Sequence, residues 1–152
     1  MQPQLKSVVM LAPLTTPTNA ATGTAMLDTL GYDWCTIDVI HNIAGDTNKH
    51  TTFKISEGDT TTYASASDIT ALTGGTSDGN FTIPSMDNTT ASTMKFNIDL
   101  SARKRYLFIT IAPAQVLNTC VLANLGKGEK APISTSTSTV AGAANMRLLV
   151  EA

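Results

Sequence analysis

Charge is the first shortage in this sequence. Asp, Glu, Lys and Arg make up 14% of the 152 residues, against about 25% in ordinary globular domains. Net charge is −2, and the only basic cluster is Arg103-Lys104-Arg105. The basic footprint of a duplex-binding protein is therefore missing, and the short cluster reads as a solvated turn. Glu occurs only 3 times, which excludes a coiled coil. No apolar run approaches the roughly 18 residues that a transmembrane helix needs. The stretch 8–12, preceded by Lys6, imitates a weak secretory signal but is short and broken by Pro13.

Residues for chemistry are also scarce. No GxSxG, GxxxxGK[ST], HExxH or GxGxxG pattern occurs. Two histidines, His41 and His50, flank a turn and can approach one another across a hairpin; as a metal pair they lack further ligands. Two cysteines, Cys35 and Cys120, form no CxxC or zinc spacing and read as small buried hydrophobes. Whether they pair depends on whether their strands are neighbours. Asp28, Asp33 and Asp38 recur every fifth residue, a spacing that alternates faces on a strand. Glu57 and Asp59 read as turn carboxylates. Gly126-Lys127-Gly128-Glu129 follows a strand, but no helix follows to hold a phosphate. No catalytic residue, cofactor or metal site is assigned, and a non-enzymatic chain is expected.

What the chain has in excess is small hydroxyls: 25 Thr and 11 Ser. A β-branched Thr is comfortable in a strand and less so in a helix. The hydrophobic share, 42%, is still enough to build a core. In 93–100, Met94, Phe96, Ile98 and Leu100 alternate with Thr93, Lys95, Asn97 and Asp99, a strand pattern with one apolar face. In 32–43, the longest candidate strand, Cys35, Ile37 and Val39 share one face. Residues 105–111 are apolar on both faces and suit a central strand, joined to 93–100 by a hairpin-like segment at 101–104. Shorter strands are expected at 7–11, 25–28, 52–56, 81–83, 119–125 and 146–150, and a single helical turn at 68–72. Short strands about ten residues apart define an all-β chain, a small β-sandwich or jelly-roll-like barrel.

The ends differ from the middle. Residues 1–23, rich in Thr and Pro, read as an N-terminal arm; 24–130 form the β-sandwich domain; 131–152, with a Ser-Thr repeat at 134–139, read as a C-terminal arm. Free arms of this composition fray. They are expected to dock, most simply by adding a strand to a neighbouring subunit. The apolar residues expected in such an interface are Val8, Val9 and Leu11 in one arm, and Met146, Leu148 and Val150 in the other. The alternative is that both arms fold back on their own core.

Four segments carry a family resemblance. Leu30-Gly31-Tyr32-Asp33 with Cys35-Thr36-Ile37-Asp38-Val39 resembles the first long strand of small virion proteins of tailed bacteriophages. Ile55-Ser56-Glu57-Gly58-Asp59-Thr60-Thr61-Thr62-Tyr63, with Asp68-Ile69-Thr70, is similar to their acidic turn. Arg103-Lys104-Arg105-Tyr106-Leu107-Phe108-Ile109 is similar to their lysine-arginine-tyrosine strand. Gly126-Lys127-Gly128 sits at their closing glycine pair. The likeness spans residues 24–132 and rests on order and spacing; the chain departs from the pattern after Pro132. The resemblance implies a capsid decoration (cement) or minor head protein. Its partners would be the major capsid protein and other copies of itself, as a homo-oligomer such as a trimer, with no direct nucleic-acid or membrane contact. It would be made in the host cytoplasm and end on the capsid exterior. Alternatives are a head-tail connector or tail protein, and a carbohydrate-binding β-sandwich module, for which one Trp and three Tyr are a thin supply.

Overall fold

The alternation in 93–100 sets the inward face of the molecule. In the computed structural model Met94, Phe96 and Ile98 are fully buried and Leu100 nearly so. Residues 5–16, 22–42, 50–75, 81–84, 90–113, 117–127 and 146–151 are described here. In chain order the strands are β1 (Leu5–Thr16), β2 (Gly23–Asp28), β3 (Trp34–His41), β4 (His50–Gly58), β5 (Ser67–Gly75), β6 (Phe81–Thr82), β7 (Ser92–Asp99), β8 (Tyr106–Pro113), β9 (Leu117–Gly126) and β10 (Met146–Glu151). They form two five-stranded sheets, β1-β9-β3-β7-β10 and β2-β8-β4-β5-β6.

The two sheets pack face to face as a sandwich. Cys35, Ile37 and Val39 of β3 meet the first sheet's Val121, Ala123 and Leu125, and the opposite layer comes from Phe53, Ile55, Leu107 and Ile109. Phe53 and Phe96 stack across the sheets with ring centroids 4.9 Å apart, and Phe81 stands edge-on to Phe53 at 6.1 Å. Offset aromatic pairs of this kind add about 0.5–1.5 kcal/mol beyond the area they bury.

Two expectations change. The segment 101–104 is not a hairpin: β7 lies in the first sheet and β8 in the second, so the turn carries the chain between sheets. Residues 68–72 are strand, not a helical turn. Their spacing misleads because β5 is bulged against β4: Lys54 pairs with Thr73 while Ser56 pairs with Asp68. Extra residues in one strand bend it and disturb the alternation. The Thr73 hydroxyl donates to the Ile69 carbonyl inside this bulge, a one-turn contact that mimics helix spacing.

Both terminal segments lie in the chain's own first sheet, the fold-back arrangement. β1 pairs antiparallel with β9, from Leu5 opposite Gly126 to Thr16 opposite Leu117. β10 pairs parallel with β7, with Leu148 opposite Met94 and Val150 opposite Phe96. The Ser-Thr repeat at 134–139 lies outside the described residues.

Candidate interaction surfaces and a buried histidine pair

The turns at 28–33, 57–59 and 100–105 and the end of β9 at Gly126 meet at one end of the sandwich. Gly31 takes a φ of +85° in the turn after β2, where a side chain would be strained. The Asp33 amide donates to the Gly126 carbonyl, and the Leu100 amide donates to the Asp33 carbonyl. The Arg105 guanidinium binds Asp28 through two nitrogens, at 3.0 and 2.7 Å. These bonds from Arg105, and then the Leu30 amide, hold the Asp28 carboxyl at about 2. Arg103 faces Glu57 at 3.8 Å and Lys104 reaches Asp59 at 3.1 Å. The basic cluster is thus spent on the chain's own acidic turns. Exposed pairs like these contribute little stability one at a time and mainly fix how the turns meet.

The outer face of the first sheet is half polar. Ser7 donates to Asn124 at 2.7 Å, and Lys95 pairs with Asp38 at 3.2 Å. Beside this polar row, the β1 end of the face is apolar. Of the six residues expected at an interface, Val8 and Leu11 pack against the chain's own core. Val9 faces outward at 59% exposure, joined by Leu5 at 63%. Leu5 was legible only with the strand begun at residue 5: it stands four positions before Val9, on the same face by the two-residue period. Met146, Leu148 and Val150 take places in the β10 ladder beside Thr93, Met94 and Phe96. Among the described strands β1 pairs only with β9, so its other edge is open over much of its length.

On the second sheet, the Tyr63 ring covers Phe108 edge-on at 5.8 Å, and Thr110 donates to the Tyr63 hydroxyl at 3.0 Å. Asp68 accepts from both Lys54 and Ser56. Trp34 lies against Gly126 in the first sheet, so Trp34 and Tyr63 sit on different sheets and form no shared platform.

At the far end of the sandwich the two histidines do meet, though across the sheets rather than across a hairpin. His41 ends β3 and His50 starts β4; both are fully buried. Their Nε2 atoms are 2.6 Å apart. Neither Nδ1 has a hydrogen-bond partner among the described residues, nor has the buried Thr119 hydroxyl. A cation bound tetrahedrally at ~2.0–2.1 Å from each nitrogen would hold them ~3.3 Å apart, so this spacing fits a hydrogen bond and not a bridging metal. Among the described residues no group of three or more His, Cys, Asp or Glu converges.

The cysteines are both free. Cys35 points into the core opposite Leu125, whereas Cys120 stands opposite Ile40 at the other end of the ladder, so no disulfide spans them. Burial pushes the Cys35 thiol up to about 12, which makes it inert.

No protein-family model, no curated protein and no solved structure matches the chain.

Proposed function

We propose that this chain is a non-enzymatic virion protein that decorates and stabilises the outer surface of a tailed-phage capsid, binding the major capsid protein lattice as a homo-oligomer. The observation that carries the reading is the ordered set of four segments, 30–39, 55–70, 103–109 and 126–128, which resembles small phage virion proteins. Contacts between them support the reading: Glu57–Arg103 and Asp59–Lys104 join the second and third, and the Asp33 amide donating to the Gly126 carbonyl joins the first and fourth.

The surface supports the same reading. Leu5 and Val9 are large apolar side chains left outside on an edge strand, and an edge strand offers unpaired backbone groups to a partner. Each such side chain, once buried, contributes about 1.5–3 kcal/mol. Repetition over a lattice turns weak single contacts into firm attachment. The low charge of the chain suits a surface that packs against other subunits.

The test is binding to capsids of the phage whose genome encodes the chain, with full-length protein and a truncation lacking residues 133–152. Full-length protein should bind the shell and raise its resistance to heat or chelation. Truncated protein that decorates equally well would remove the C-terminal segment from the interface. Rings in solution with no shell binding would favour a connector role.

A further inference from the structure

The sandwich is closed at its two ends by different chemistry. One end has exposed ion pairs. At the other, the described residues join the two sheets through a pair of buried imidazoles, with His41 in the first sheet and His50 in the second. We propose that the His41–His50 contact is an acid-released latch, which pins the two sheets together at neutral pH and lets that end of the sandwich open when it takes up protons.

The contact depends on one proton. An Nε2–Nε2 hydrogen bond needs one ring to donate and the other to accept, so two neutral rings make it only in opposite tautomers and two protonated rings cannot make it. Two protonated rings would face each other with N–H groups at 2.6 Å and repel. One protonated ring could still donate to the other, but would bring a charge into a site where the described residues supply no countercharge. The pair is held by β3, β4, β7, β8 and β9: His41 stands opposite Ser92 and Thr119, and His50 opposite Pro113. The inward residues next along these strands are Val39, Phe53, Met94, Ile111 and Val121, none of them titratable. The charged groups of the same strands look elsewhere. Asp38 and Lys95 pair with each other, Lys54 pairs with Asp68, and Glu57 lies at the opposite end with Arg103. Asp99 caps the Ser101 amide beyond the end of β7, and Cys120 stands beside Ile40 on the half-buried outer face.

Burial, and then the facing His50, holds His41 down at about 3; burial holds His50 down at about 4. The Ser92 backbone opposes the shift at His41 and is the weaker influence. An unfolded histidine titrates near 6.5. The open chain therefore takes protons that the closed chain refuses. The latch is fully stabilising above about pH 6.5 and loses strength as pH falls from there towards 4. Ordinary carboxylates titrate near 4, so the interval from about 6.5 to 5 belongs to the histidines alone. Each histidine makes the opening equilibrium rise by up to about tenfold per pH unit, and the two together by up to about a hundredfold.

Two measurements on the full-length chain test this. Long-range proton–nitrogen NMR at pH 7 should find one ring protonated at Nε2 and the other at Nδ1. Amide hydrogen exchange, corrected for intrinsic rate, should show His41, His50, Ser92 and Thr119 losing protection between pH 6.5 and 4, while Asp28, Gly58 and Tyr106 keep theirs. His50→Gln keeps a donor and an acceptor but removes one titration, so the slope should fall from about a hundredfold towards tenfold per unit. Rings that both titrate near pH 6.5, or equal loss of protection at the two ends, would overturn the latch. So would an unchanged slope in His50→Gln; if that variant does not fold, the wild-type NMR and exchange data decide alone.

Discussion

Trp34 lies across the backbone of Gly126: a β-carbon built on that glycine would stand 2.1 Å from Cε2 and Cζ2 of the indole. The two residues are cross-strand partners on β3 and β9, at the end where Asp28 pairs with Arg105 and Glu57 with Arg103. An aromatic side chain laid over a strand glycine covers backbone that would otherwise be exposed. The glycine is thus required by its neighbour, while its own φ is unremarkable.

Gly126→Ala is therefore expected to push the indole off the sheet and cost about 1–3 kcal/mol, as overpacking does. Trp34 is the only tryptophan, so its fluorescence should shift to the red in the folded variant. Urea unfolding followed by that signal gives both numbers. An unshifted spectrum with unchanged stability would mean that the ring has room to spare.

Asp28→Asn should change how stability falls in acid. The folded carboxyl titrates at about 2, below the ordinary 3.8 of an aspartate, chiefly because Arg105 hydrogen-bonds to it. Its contribution is fully present above about pH 4 and is lost as pH falls towards 2. Wild-type protein should therefore lose more stability than the variant between pH 4 and 2. The difference at pH 7 should shrink in 1 M salt, where exposed charges are screened. Parallel pH curves would remove Arg105 as the cause.

Leu5→Lys with Val9→Lys tests the open edge. Both positions are exposed, so the folded chain should keep its stability within about 0.5 kcal/mol. Shell binding or self-association should fall, because two apolar contacts are replaced by charges at the edge of β1. A melting temperature several degrees lower would instead place these side chains in the chain's own packing.

Much of the fold was legible because the alternation is strong. Met94, Phe96 and Ile98, like Cys35, Ile37 and Val39, point inward as their period of two requires. The errors fell where that period breaks. At 69–72 the bulge against β4 spaced two buried residues, Ile69 and Leu72, three apart, as a helix would. At 101–104 a short turn between strands reads alike whether it stays in a sheet or changes sheet, since the difference lies in long-range pairing. The histidine contact was visible as proximity, but its burial was not, because it depends on three strands remote in sequence, β7, β8 and β9. For the terminal segments, residue type marked the strands, yet apolar alternation cannot say whose sheet edge a strand will join.

The most direct measurement is the position of this chain on purified virions, by labelling it and imaging the particles. A decoration protein appears over the whole outer shell at regular lattice positions, in a number tied to that of the major capsid protein. Label confined to the neck or tail, or no label on the particle at all, contradicts capsid decoration.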